Sequence, residues 1–261
     1  MPLVVVIGID NCGAMFNIAF SFIRTEVAID YTFIFRHMKT MIFHECVLPR
    51  VVLADQGSGI QAALHTGWTS DEDGVFAQLC EWHCFQNIWK CIFGQRTYSK
   101  MEELDFIWDK GNAWLQCTDL ASLNQYHQQL LDILLPSERS YLLHNWIPKE
   151  RHVVQAYTRK LPNLGSNSTQ RNDGANHSIK MFTHTKIQLN QTARAILQFI
   201  DFAERDIEER ESQSKMKGCL PTLPGMVSLR HLHGHITQYA MHLLLREWIH
   251  TMDSHLNWLP R

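Results

Sequence analysis

The chain has 261 residues, 45% of them apolar, and 24 basic side chains against 26 acidic ones leave a formal net charge of −2. That size supports a buried core, as one large domain or two small ones, but the balanced charge lacks the basic footprint that holds a free-standing domain on nucleic-acid phosphates. The longest apolar runs, such as Pro2 to Ile9, fall far short of the ~20 residues a membrane-spanning helix needs, and no charged segment precedes the first, so neither a span nor a secretory signal is expected. The cysteines number seven, without framework spacing, and read as reduced thiols of cytosol or nucleus.

In chain order, residues 3 to 9 and 15 to 23 are β-branched and aromatic runs around the turn formers Asp10-Asn11-Cys12-Gly13, which predicts an antiparallel hairpin. Glu26 to Met41 reads as helix, with Val27, Tyr31, Ile34 and Met38 at three- and four-residue spacing. Val51 to Ala54 is a short continuous apolar run of the kind buried on both faces of a sheet, and it ends at Asp55. Ser58 is placed to cap a helix through Leu64. A second apolar run, Val75 to Cys80, leads into an aromatic-rich helix from about His83 to Phe93. The expected fold class is therefore α/β with a mixed sheet. From about Leu104 the strand signals stop. Helices interrupted at Pro136 and Pro148 follow to residue 160, then a helix from Thr169 to Phe182 and a longer one from Gln191 to Ser214. In the last, Ala193, Ile196, Leu197, Ile200, Ala203 and Ile207 form one apolar stripe. Beyond the breaker Pro221 to Gly225, a final helix is expected to about Trp258.

Asp55 is the leading candidate for chemistry, because open α/β sheets bind ligands just outside the carboxyl ends of their strands; its alternative role is to open the turn before a helix. In Ser168 to Lys180, a helical rotation of about 100° per residue puts Asn176, His177 and Lys180 within about 60° of Asp173, with Ala175, Ile179 and Phe182 opposite. That face offers acidic, amide, imidazole and basic groups, or is simply solvated. Cys80 and His83 lie three apart at a strand-to-helix junction and resemble half of a zinc site. No second pair stands at finger-like spacing, although Cys91 or His65 are partners the fold is free to supply, so a buried thiol beside a hydrogen-bonded imidazole is the expected arrangement and zinc is not expected. His231, His233 and His235 read as a solvent-facing helix entry, and Glu204 to Glu211 as a solvated helix end. No GxSxG, P-loop or GxGxxG element occurs, so acyl transfer and nucleotide hydrolysis have no support.

Taken together, Met1 to Asn11, Asn17 to Ile23 with Glu26 following, Val51 to Gly57, Cys80 to His83 and Thr169 to Lys180 resemble, in order and separation, the blocks of Mutator-like (MULE) DNA transposases. The resemblance spans roughly residues 1 to 185. It implies an RNase H-like sheet carrying a DDE triad, with a C-x-x-H motif between the second and third acids and a helical insertion before the third. Carried onto this sequence, the second acid is Asp55, the third Asp173, and the motif residues are Cys80 and His83; Asn176, His177 and Lys180 would face DNA.

On this resemblance the expected layout is a partial RNase H-like core at 1–100, a helical insertion at 101–165, a core helix with the third acid at 166–190 and a helical C-terminal region at 191–261. The implied activity is Mg²⁺- or Mn²⁺-dependent DNA cleavage and strand transfer, with Asp55 and Asp173 as metal ligands. DNA transposon ends are the implied partner, with self-association and a nuclear location. Two departures count against full activity. The family's first acid precedes the Met1 block, so an N-terminal truncation and impaired catalysis are expected, and the third position holds Asp173 where the family usually has Glu, one methylene shorter. A non-catalytic DNA- or protein-binding module and a small zinc module at Cys80 and His83 are the competing readings.

Overall fold

The computed structural model describes residues 2–44, 48–68, 74–96, 100–169, 189–216, 232 and 235–245. The chain forms two compact units, one of Met1–Val4 with Ser21–Arg171, the other of Val5–Phe20 with Asn172–Arg261.

The chain opens with strands β1 (Leu3–Ile9) and β2 (Met15–Phe22). They pair with each other, and bonds from Asp10 N to Ala14 O (2.8 Å) and from Ile23 N to Pro2 O (3.0 Å) make the pair an antiparallel hairpin. The turn is held by the Asp10 carboxylate, which accepts from the amides of Cys12 (2.9 Å) and Ala14 (2.8 Å). Gly13 there has φ +76°, a left-handed conformation only glycine adopts without strain.

In the first unit, α1 (Ala28–His37) continues as a π-helical turn, Met38–Ile42. The parallel strands β3 (Val51–Ala54) and β4 (Phe76–Leu79) are joined through α2 (Ser58–Gly67), with Val51 opposite Phe76 and Ala54 opposite Leu79. Helix α2 buries Ala63 and Leu64 fully, and the Trp68 indole after it donates to Phe35 O at the end of α1 (3.1 Å). Gly59 permits the close approach: a Cβ there would lie 2.5 Å from Glu26 O.

The helices α3 (Glu81–Gln95), α4 (Met101–Leu115), α5 (Leu120–Ile133), α6 (Pro136–Asn145) and α7 (Gln155–Thr158), with a 3₁₀ turn at Ile147–His152, follow in the same unit. Their shared core is built on Ile92, Ile107, Trp114, Leu130, Leu142 and Trp146, and Leu79 at the end of β4 packs into it. Pro136 opens α6 at its first position, where a missing N–H costs nothing. The Asp119 carboxylate caps α5 by accepting from Ala121 N (3.2 Å) and Ser122 N (3.0 Å).

The second unit contains α8 (Leu189–Met216) and a helical segment at 238–245. Arg210 of α8 lies 3.7 Å from the Asp10 carboxylate, and the Thr237 hydroxyl donates to Asn11 O.

Four expectations need correction. The mixed sheet is two separate two-stranded sheets among the described residues. The tight turn obliges β1 and β2 to be antiparallel and the helical crossover obliges β3 and β4 to be parallel, but no local signal joins one pair to the other. Ser58 does not cap α2: Gly57 holds the cap position and Ser58 is the first helical residue. The helix drawn from Glu26 to Met41 starts at Ala28 and leaves α-geometry at Met38. The stripe of α8 is narrower than expected, since Ile196 is buried but Leu197 is 60% exposed and Ala193 is exposed too. Of the helix expected over Thr169 to Phe182 only Thr169, in a turn, is described; the breaker Pro221 to Gly225 and the stretch to Trp258 beyond residue 245 lie outside the described residues.

Candidate functional site

Backbone pairing positions the site before any side chain does. The ladder between β3 and β4 extends by one bond, Cys80 N to Ala54 O (2.9 Å), so the residues that follow the two strands, Asp55 and Cys80, emerge side by side. Helix α3 starts immediately after Cys80, and one turn of it brings His83 back over the strand ends. The His83 imidazole meets the Asp55 carboxylate, Nδ1 to Oδ1 2.7 Å. A carboxylate only accepts, so the imidazole presents its Nδ1–H to it.

The loop after α7 completes the arrangement. Thr169 donates its backbone N–H to Cys80 Sγ (3.2 Å), and its hydroxyl lies 3.2 Å from the same sulfur, 3.1 Å from His83 Nδ1 and 3.3 Å from Asp55 Oδ1. The loop is anchored beside it: Glu81 N donates to Asn167 O (2.9 Å), and Asn163 Nδ2 donates to both Gln78 Oε1 (3.0 Å) and Asn167 Oδ1 (3.2 Å), with Gln78 buried in β4. Gln61 of α2 ties down the backbone of Asp55 through Nε2 to O (2.6 Å).

Exposure grades across this cluster. The side chains of Asp55 and His83 are 54% and 33% exposed, whereas Cys80 is fully buried. Cys84, one turn further along α3, is fully buried as well, and burial pushes its thiol far above the ordinary range. Burial also raises the Glu81 carboxyl, opposed by a hydrogen bond from Gln155. The Tyr31 phenol of α1 is raised, first by burial and then by the charges of Glu26, Asp55 and Asp30. Glu26, Asp30 and Asp55 thus all lie within electrostatic reach of the Tyr31 phenol.

Of the residues singled out from sequence, Asp55, Cys80 and His83 converge; their ligating atoms all lie within 4.8 Å of one another. Cys91 and His65, the other partners considered for the thiol and imidazole, are not in this set. Asp10 sits in the hairpin turn, as its sequence context predicts, with its carboxylate committed to turn amides. Asp173, Asn176, His177 and Lys180 lie outside the described residues, as do His231 and His233. Sequence reasoning missed Thr169. It stood at the head of a recognised block, but no local rule marks a threonine as meeting residues 86 and 114 positions earlier.

Strand-end carboxylate, helix-entry Cys-x-x-His and a bridging threonine thus meet at the carboxyl ends of two parallel strands, the place where open α/β sheets bind ligands. The comparison with family models is more particular: residues 1–87 match the model of the MULE transposase domain, a stretch that holds Asp55, Cys80 and His83 and stops short of Thr169. That match implies a transposase-family function for the segment. No curated protein and no solved structure matches the chain.

Proposed function

We propose that the chain carries part of the catalytic core of a MULE-type DNA transposase, an RNase H-like DDE centre for cation-dependent DNA cleavage and strand transfer. The observation that carries this reading is the meeting of Asp55 with His83. Asp55 and His83, which this reading takes as the family's second acid and as part of its C-x-x-H motif, share a 2.7 Å contact at the carboxyl ends of two parallel strands.

Asp55 would serve as one ligand of a divalent cation, and its exposed carboxylate suits that role; the chemistry a cation held there would supply is activation of a water or 3′-hydroxyl and neutralisation of charge on the scissile phosphate. His83 and Thr169 orient the carboxylate by hydrogen bonding to Oδ1, so that it meets its ligand without searching rotamers. Asp173 is the proposed third acid, and Asn176, His177 and Lys180 the proposed DNA-facing groups. In the family's pattern a further acid lies on a strand before the block that corresponds to Met1 to Asn11. DNA ends as substrate, self-association and action in the nucleus belong to the same proposal.

The test is strand transfer on terminal-repeat DNA with Mg²⁺ or Mn²⁺, for the 261-residue chain and for a version extended by a strand bearing the family's first acid. The extended form cuts and joins, the chain alone does so at least a hundredfold more slowly, and Asp55→Asn in the extended form abolishes both steps. Inactivity of every extended form refutes the transposase reading; efficient cutting by the 261 residues alone refutes the need for the family's first acid.

A further inference from the structure

We propose that Asp55 Oδ1, Cys80 Sγ and His83 Nδ1 form a binding site for a borderline transition metal of the zinc class. The inference rests on the reading above only in taking Asp55 as a metal-binding carboxylate. It departs from that reading in the cation, because Mg²⁺ demands an all-oxygen octahedral shell and two of these three donors are sulfur and nitrogen. Thiolate and imidazole with one carboxylate is a donor set that selects Zn²⁺ or Co²⁺.

The geometry supplies a fourth position. The Thr169 hydroxyl stands 3.1, 3.2 and 3.3 Å from the nitrogen, the sulfur and the oxygen. A tetrahedron with zinc-ligand bonds of about 2.0–2.3 Å has edges of roughly 3.3–3.8 Å, so this oxygen lies close to where a fourth ligand or a metal-bound water belongs. The Asp55 to His83 edge is shorter, 2.7 Å, because it is a hydrogen bond, and it would open by roughly half an ångström when a cation replaces its proton.

Two further features suit an anionic sulfur. Cys80 occupies the N-cap position of the fifteen-residue α3, where the helix dipole favours negative charge, and Sγ accepts the Thr169 N–H. Exposure of Asp55 and His83 gives the cation a way in, while Cys80 closes the floor. The sequence displayed only half of this set, because the carboxylate comes from the strand end 25 positions before Cys80 and the hydroxyl from 89 positions after it.

Titration of the full, chelator-treated chain with Co²⁺ tests the proposal by absorption. One equivalent is expected to bind with a thiolate-to-cobalt charge-transfer band, to be displaced by Zn²⁺ and to resist millimolar Mg²⁺. Cys80→Ser loses the band, Cys84→Ser keeps it, and Asp55→Asn, a mild change at an exposed position, weakens binding about tenfold or more. Absence of the band, its persistence in Cys80→Ser, or unchanged affinity in Asp55→Asn overturns the site. A band without strand transfer in the extended protein removes the transposase reading and leaves the metal site. Mg²⁺-dependent strand transfer that needs Asp55, with no band, does the reverse.

Discussion

Two acid–base pairs in the first unit share a 2.7 Å contact and little else. His83 and Asp55 meet at the strand ends with 33% and 54% of their side chains exposed; Arg96 and Glu138 meet inside the helical core with 4% and none. The buried pair is fully committed. Arg96 Nε and Nη2 hold both oxygens of Glu138 (2.7 and 2.8 Å), Nη2 also reaches Ile133 O (3.2 Å), and Glu138 accepts the Leu135 N–H at the start of α6 (2.9 Å). Glu103 contacts the same guanidinium. The bond to Glu138 raises the Arg96 guanidinium against the opposing effect of burial. These bonds tie the end of α3 to α4, to the end of α5 and to α6, and one of them caps α6 itself. At the strand ends the hydrogen bonds converge on Oδ1 and solvent reaches the carboxylate. Similar contacts thus serve stability in one place and availability in the other, and the surroundings decide which.

Breaking the buried pair has the largest expected effect. Glu138→Ala strands a buried guanidinium and uncaps α6, and the expected loss is about 3–5 kcal/mol in urea denaturation. A loss under 1 kcal/mol would place Arg96 in water rather than in the core. Next comes Gly111→Ala, in the same core, whose Cβ would lie 2.4 Å from the buried Trp89 ring. Overpacking of about 1–3 kcal/mol outweighs the ~1 kcal/mol of helix propensity that alanine adds, so the midpoint of unfolding falls; a rise would mean the ring moves freely.

Asp55→Asn sharpens the other half of the comparison. Stability changes by no more than about 0.5 kcal/mol, as for surface substitutions generally, while strand transfer and Co²⁺ binding are lost or weakened as described above. A large loss of stability would make Asp55 a structural residue like Glu138. The smallest effect concerns pH. His127 on α5 is held below its ordinary range chiefly by burial, with Glu150 opposing. The unfolded chain therefore binds the proton first: stability from the neutral ring is complete above the ordinary value of 6.5 and declines as pH falls through the folded value. His127→Gln flattens that part of the stability–pH curve, and an unchanged slope assigns it to another group.

How much of this was legible in the sequence varies by element. The hairpin, both short parallel strands and the helices on either side of Pro136 follow from periodicity and turn residues, because each is fixed by interactions within a few positions. Two boundaries moved: Gly57 rather than Ser58 holds the cap position of α2, and α1 gives way to a wider turn at Met38. In α8, six apolar positions at helical spacing mark a stripe, but only packing decides that Ile196 faces inward while Leu197 stays exposed.

The chain by itself determined the residue types available for chemistry: an aspartate closing an apolar strand, a cysteine and a histidine one helical turn apart, and a polar block at Thr169. Tertiary structure alone decided that these are one place. Parallel pairing of β3 with β4 sets Asp55 beside Cys80, the first turn of α3 returns His83 to the carboxylate, and the anchored loop delivers the Thr169 hydroxyl to all three. The physical reason is range. Turn chemistry and periodicity act over a handful of residues, whereas the contacts that gather these four side chains span as many as 114 positions and exist only after the sheet has formed.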